Sequence, residues 1–310
     1  VSLAGGSTDL ESFIQAHGHG AVINFPTNLY TYITLHDDLL GYNAYSKKYI
    51  INYSKREEVE NVEQIKNDIA RIALEHFNEG PLTCGFTTDI FSIGSGLASS
   101  SSYMISFIKA LLVQNEQSLS NFEICKLSTE LERKFNPLTG YQDTYGCGIG
   151  GLKRMDFIKN RDPRITYLSK RIFDNFDMFL IYTGVGRRST GLLREIEKAD
   201  RTYLLELVQS LHEAIDDNDK FKFLEIISEG WECKRKTSKK IIENQNIVEM
   251  DVSIEKNNKI LAHRLCGAGN GGYFLVFMNR ERTNHLNLKE QYKHVLPISI
   301  SDGGVSGCKI

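Results

Sequence analysis

Glycine and serine crowd one stretch of the chain, Gly94-Ser95-Gly96-Leu97-Ala98-Ser99-Ser100-Ser101-Ser102, which runs into Tyr103 to Val113, apolar apart from Ser106 and Lys109. Those residue types suit a phosphate group. Glycines let a ligand approach the main chain, serine hydroxyls add donors and hard oxygen ligands, and the free N–H groups of a first helical turn attract anions. The alternative is a flexible connector, but connectors are not normally fused to a helix that reads as buried.

Carboxylates and hydroxyls stand at three further places. Glu130 and Glu132 fall at the C-terminal end of a helical stretch, Asn121 to Phe135, just ahead of Asn136-Pro137-Leu138-Thr139-Gly140-Tyr141-Gln142-Asp143. The helix macrodipole disfavours acids there, so either one of them has a task other than capping or they are a solvated surface pair. Gly5-Gly6-Ser7-Thr8-Asp9 suits hydrogen bonding to a polyol, or is a turn in which Asp9 caps the helical Leu10 to Ala16. Arg187 and Arg188, in the turn Thr183 to Thr190, either hold a phosphate or cap and salt-bridge the next helix.

A second glycine loop, Gly267-Ala268-Gly269-Asn270-Gly271-Gly272, matches G-x-G-x-x-G. Context rejects dinucleotide binding, because that fingerprint opens a helix and the strand-like Tyr273 to Met278 follows here. No Walker-type G-x-x-x-x-G-K-[ST] occurs either.

These residues need a mixed scaffold. Leu29 to His36 alternates as a half-buried strand, Tyr45 to Tyr53 and Gly85 to Phe91 read as strands, and Glu57 to Phe77 carries apolar residues at helical spacing. Ser120 is an N-cap for the helix that follows it. Phe179 to Tyr182 is a buried strand, and Leu192 to Lys240 is helical, with Trp231 in a core or an interface. Turn residues at Gly148 to Gly151 and at Asp162-Pro163 place a boundary near Leu168, which divides the chain into 1–168 and 169–310.

Composition excludes several classes. With 37 basic and 39 acidic residues among 310, the net charge of −2 gives no electrostatic reason to bind nucleic acid or anionic membrane. The apolar runs are far shorter than a bilayer span. Six dispersed cysteines with no C-x-x-C pair suggest neither zinc nor a disulfide framework, and a reducing cytoplasm is the expected compartment. His17-Gly18-His19-Gly20 has no nearby third ligand and reads as a loop. Val1 opens in strand-like sequence without a leader pattern, so the numbering is expected to start a few residues inside the protein. An oligomer is compatible with the sequence but not indicated by it.

Taken together, Leu3-Ala4-Gly5-Gly6-Ser7-Thr8-Asp9, Gly94 to Ser101 and Gly267 to Gly272 resemble, in order and spacing, the three motifs of the GHMP kinases. Within that superfamily, Ala-Gly-Gly-Ser-Thr-Asp, Gly-Tyr-Gln-Asp-Thr-Tyr and Tyr-Thr-Gly-Val-Gly-Arg are most similar to bacterial D-glycero-D-manno-heptose 7-phosphate kinases. The resemblance spans the chain. It implies an α+β fold with an N-terminal domain like ribosomal protein S5 domain 2 and a ferredoxin-like C-terminal domain. ATP and Mg²⁺ would be the cofactors and a small-molecule sugar phosphate the partner.

Carried over by motif, Gly94, Ser95, Gly96, Leu97, Ala98, Ser99, Ser100 and Ser101 would wrap the ATP phosphates, with Ser100 and Glu132 ligating Mg²⁺. Asp143, eleven residues beyond Glu132, would be the catalytic aspartate. Thr8 and Asp9, with Ser7 and Gly140, would grip the sugar, and Gly267, Ala268 and Gly269 would shape the site. The implied reaction is phosphorylation of the C1 hydroxyl of a heptose 7-phosphate. Alternatives are another sugar 1-kinase or a non-catalytic sugar-binding regulator on the same scaffold. Ala98 and Asn270 stand where the family has glycine, Ser101 where it has alanine, and a basic residue expected ahead of Leu3 is absent. Arg187, Arg188, Lys153 and Arg154 are candidates for the substrate's remote phosphate by charge alone.

Overall fold

The computed structural model describes residues 1–36, 47–90, 94–186 and 201–309. Twelve strands in this part form three four-stranded sheets. The first has the order β1 (Ser2–Ala4), β2 (His19–Asn24), β7 (Lys153–Ile158), β8 (Arg164–Tyr167) and is antiparallel throughout. The second runs β3 (Thr31–His36), β6 (Thr83–Thr88), β4 (Tyr49–Asn52), β5 (Arg56–Val59), with β4 parallel to β6. The third runs β10 (Ile260–Leu265), β11 (Tyr273–Asn279), β9 (Phe176–Tyr182), β12 (Val295–Ile298).

In chain order the third sheet is strand, helices, strand, strand, helix, strand, with the first strand inserted between third and fourth. That is the ferredoxin-like arrangement the resemblance implies. The architecture is α+β.

The helix after the Gly/Ser stretch, α3 (Ser99–Gln114), buries Met104, Ile105, Phe107, Ile108, Leu111 and Leu112. So many apolar positions cover more than one face, and α3 accordingly packs between β3 and the helices α2 (Asp68–Phe77), α4 (Asn121–Glu132) and α5 (Gln142–Gly148). A helix held on all these sides keeps its N-terminus fixed.

The largest core lies elsewhere. It joins Leu3, Ala21 and Ile23 of the first sheet to Leu180, Leu275 and Phe277 of the third. Leu207, Val208 and Leu211 of α6 (Tyr203–Asp216) and Phe223, Ile226 and Ile227 of α7 (Lys220–Thr237) complete it. The tail beyond β12 returns to the first half, where Ser301 N–H donates to Pro26 O at 2.8 Å and Val305 N–H to Gly148 O at 3.0 Å.

Two expectations about elements change. Glu57 to Phe77 is not one helix: Arg56–Val59 is a strand and the helix starts at Asp68. The Glu57 carboxylate accepts from Lys66 N–H at 2.6 Å and Asn67 N–H at 3.1 Å, and Asn67 in turn accepts from Ala70 N–H, so the helix is capped there instead. Leu192 to Lys240 is broken after α6 by Asn218 at φ 56° and restarted by Asp219, which accepts from Phe221 and Lys222 N–H. Trp231 is core, and its indole N–H donates to Asp251 at 2.9 Å. Among the described residues no helix is long and apolar enough to cross a membrane.

Candidate active site

A cavity of about 570 Å³ is lined from both halves of the chain. One wall holds the start of α3. Gly94 and Gly96 take φ 70° and 72°, and Ala98, at φ 59°, occupies the left-handed conformation that glycine adopts without strain. No side chain caps α3, and its first turn, Ser99 to Ser101, lines the cavity, an arrangement that suits an anion. Ser95 knits the loop, its hydroxyl 3.2 Å from Leu97 N–H and 3.0 Å from the Ser99 hydroxyl.

The second glycine loop is shaped to the first. Gly272 has φ 94°, and a Cβ there would come within 2.2 Å of Ser95 O. Only glycine permits that contact.

Glu132 ends α4 and is 3% exposed. The Ser101 hydroxyl donates to its carboxylate at 2.7 Å, and the Ser100 hydroxyl is a second donor. Burial raises its pKa to about 7, helped by the charge of Asp143 and opposed by the two serines. Among the described residues no cation pairs with it.

Asp143 stands exposed in the first turn of α5. That helix is fixed at both ends. Asp9, 1% exposed, accepts from Gln142 N–H at 2.9 Å and from Ser7 N–H at 3.0 Å, so it caps α5 across the fold and not the neighbouring α1 (Glu11–His17). Burial raises the Asp9 pKa to about 6 against those two donors. Gly140 makes this approach possible, since a Cβ there would lie 2.1 Å from Asp9 Oδ2. At the other end the buried Lys153 ammonium donates to Ile149 O at 2.6 Å and Gly146 O at 3.3 Å. A hydroxyl pair, Thr129 and Thr144 at 2.7 Å, ties α4 to α5 and so fixes Glu132 relative to Asp143.

Ser7, Asp9, Gly140, Gly267, Ala268, Glu132, Asp143 and all of Gly94 to Ser101 line the cavity. Thr8 does not. Its side chain is wholly buried, its hydroxyl held 2.8 Å from both Gly5 O and Ala21 O, which corrects the expectation that it grips a ligand. Gly269 also lies outside the lining, where a Cβ would meet Ile241 at 2.9 Å. Lys153 and Arg154 are removed as phosphate candidates, the first by the carbonyls it caps, the second by Asp156 at 3.0 Å and Gln209 at 2.8 Å. Arg187 and Arg188 lie outside the described residues.

The other wall carries basic groups that motif reasoning missed. Arg201, 3% exposed, donates to Ser7 O at 2.6 Å, and Lys234 donates to Leu265 O at 2.9 Å and to Gly267 O. Arg264, 7% exposed, donates to Leu3 O. The sequence signals were the position of Arg264, three residues ahead of Gly267, and the basic cluster Lys234-Arg235-Lys236, which reads as a solvated helix face although Lys234 lines the cavity.

The donor set fits Mg²⁺. A buried carboxylate and a hydroxyl at the mouth of an anion site are two hard oxygens, and Mg²⁺ commonly takes one or two protein ligands and completes its shell with phosphate and water.

Residues 53–151 match the family model described as GHMP kinases N terminal domain. The whole chain is 25% identical to the D-glycero-alpha-D-manno-heptose 7-phosphate kinase of Campylobacter jejuni, covering 97% of that protein. Over 59% of its length it is 26% identical to the L-fucokinase/L-fucose-1-P guanylyltransferase of Bacteroides fragilis, covering 21% of it. Among solved structures, a D-glycero-D-manno-heptose 1-phosphate kinase of Bacteroides thetaiotaomicron superposes with TM-score 0.75 at 21% identity, covering 100% of this chain and 96% of that one. Lactococcus lactis galactokinase, solved with galactose, gives 0.70 at 15%, covering 98% and 92%.

Proposed function

Since this chain is a GHMP kinase, a phosphotransferase acting on a hydroxyl group, we propose that it transfers the γ-phosphoryl group of ATP to the C1 hydroxyl of D-glycero-D-manno-heptose 7-phosphate. The product would be the 1,7-bisphosphate, an intermediate suited to nucleotide-heptose and surface-polysaccharide synthesis. The observation that carries the kinase chemistry is the contact of Ser101 and Ser100 with Glu132 at the open start of α3, in the same cavity as Asp143. The heptose assignment rests on likeness to the Campylobacter kinase along the whole chain.

Phosphoryl transfer needs positioning and charge neutralisation more than covalent chemistry. In this reading the amides of Gly96 to Ser101 bind the ATP phosphates, and Ser100 and Glu132 hold Mg²⁺. Bound there, the ion would neutralise charge on the transferring group. Asp143 accepts the proton of the acceptor hydroxyl or orients it, and an anomeric hydroxyl, more acidic than an ordinary alcohol, suits a carboxylate base. Asp9 acts chiefly by holding α5, and with it Asp143, in place. The half from 1 to 168 supplies the ATP loop and the carboxylates, and the half from 169 to 310 closes the cavity.

A kinase for an unphosphorylated sugar is the second reading, favoured by the fucokinase similarity. Purified protein with ATP, Mg²⁺ and a panel of heptose 7-phosphate, heptose, fucose and galactose separates the two. Phosphorus NMR should show a new anomeric phosphate on heptose 7-phosphate. Turnover of a free sugar without turnover of heptose 7-phosphate would reject the first reading.

A further inference from the structure

Arg264 is placed where a cation is costly. It sits near the end of β10, 7% exposed, and lines the cavity. One guanidinium nitrogen donates to Leu3 O, its Nε is buried without a hydrogen-bond partner, and among the described residues no carboxylate pairs with it. Withdrawing a guanidinium from water against neutral carbonyls is unfavourable unless an anion compensates it. Burial accordingly holds its pKa below the ordinary arginine value.

Two further cations line the same cavity. Lys234 reaches the carbonyls of Leu265 and Gly267 on the chain just beyond Arg264, and Arg201 reaches Ser7 O. All three line the cavity from the second half of the chain, and they are its basic lining among the described residues. Their hydrogen bonds reach the Leu3-to-Ser7 segment and the second glycine loop. Guanidinium groups match the tetrahedral oxygens of a phosphate bidentately.

We propose that Arg264, in the cavity that Lys234 and Arg201 also line, binds a phosphate monoester carried by the acceptor, so that the substrate class is a phosphorylated sugar. This rests on the sugar-kinase reading and adds to it the residue that separates a sugar phosphate from a free sugar. Arg264 is a binding residue and takes no part in proton transfer.

The test compares heptose 7-phosphate with unphosphorylated heptose in the wild type, Arg264→Met and Arg264→Lys. Arg264→Met should raise KM for heptose 7-phosphate about ten- to hundred-fold, the loss expected for one charged hydrogen-bonding group. KM for ATP should stay as it was, any loss on free heptose should be smaller than that on heptose 7-phosphate, and Arg264→Lys should recover part of the loss. A rise in KM for ATP, or an equal loss on both acceptors, overturns the proposal. If Arg264→Met does not fold, calorimetry on the wild type decides, with mannose 6-phosphate against mannose and inorganic phosphate as a competitor at saturating ATP. The phosphate ester should bind at least about ten-fold more tightly, and inorganic phosphate should compete with the acceptor. Equal binding of ester and free sugar overturns the proposal. Should no sugar be phosphorylated at all, the kinase reading fails while this binding comparison still decides the anchor.

Discussion

The cavity's two walls solve opposite electrostatic problems by the same device. On the wall from the first half, Asp9 and Glu132 are buried and held by main-chain N–H groups and serine hydroxyls. On the wall from the second half, Arg264 is buried against a carbonyl. None of these three has an opposite charge beside it among the described residues, whereas ion pairs elsewhere, such as Arg235 with Asp251 at 3.0 Å, are complete. A charge stabilised only by neutral dipoles keeps most of its Coulombic attraction for an incoming ion. The acidic wall is thereby suited to a cation and the basic wall to an anion.

If that comparison holds, the most damaging change is to the one exposed carboxylate of the acidic wall. Asp143→Asn should lower kcat by about a thousand-fold, within the range for losing a general base, while KM for ATP stays within a few-fold. Steady-state kinetics with ATP and acceptor varied separately measures both. A variant that keeps kcat would reduce the acidic wall to a metal clamp.

The buried carboxylates should reveal themselves through pH. Burial raises the folded-state pKa of Glu132 to about 7 and of Asp9 to about 6, above their ordinary values of 4.5 and 3.8. The folded protein then keeps protons that the unfolded chain releases. The two carboxylates' contribution to stability is full below about pH 4 and is lost as pH rises through about 6 for Asp9 and about 7 for Glu132, the Glu132 share being on the order of 3 kcal/mol. Without metal, Glu132→Gln should match wild type in thermal midpoint near pH 5 and exceed it near pH 8. Mg²⁺ added to the ATP-bound protein should raise the wild-type midpoint more than the variant's. Identical pH dependence in the two proteins would show that Glu132 is not the group titrating.

The acidic wall was largely legible in the sequence and the basic wall was not, for a physical reason. Gly94 to Ser101 and Gly267 to Gly272 are contiguous runs, so residue type and spacing within each carry the information. Arg264 and Lys234 become site residues only because the third sheet and α7 pack across β1, a contact between positions over two hundred residues apart that no local pattern encodes. The start of α2 was missed likewise, since Glu57 captures amides nine and ten residues ahead of it. The ferredoxin-like strand order came from the family resemblance and not from periodicity.

Thr8 and Asp9 are the finest case, adjacent residues that one motif assigned to one task. The turn aims Asp9 at α5 and the cavity, but folds Thr8 inward, where its hydroxyl also accepts from Ala21 N–H at 3.1 Å. Thr8→Val keeps the shape and removes the hydroxyl, leaving the Ala21 amide and the Gly5 and Ala21 carbonyls to lose a partner. That should cost about 1–3 kcal/mol of stability, read by denaturant unfolding, with KM for acceptor and ATP both unchanged. A stable Thr8→Val variant whose acceptor KM rose ten-fold or more would place Thr8 on the substrate and move this part of the turn from scaffold to cavity wall.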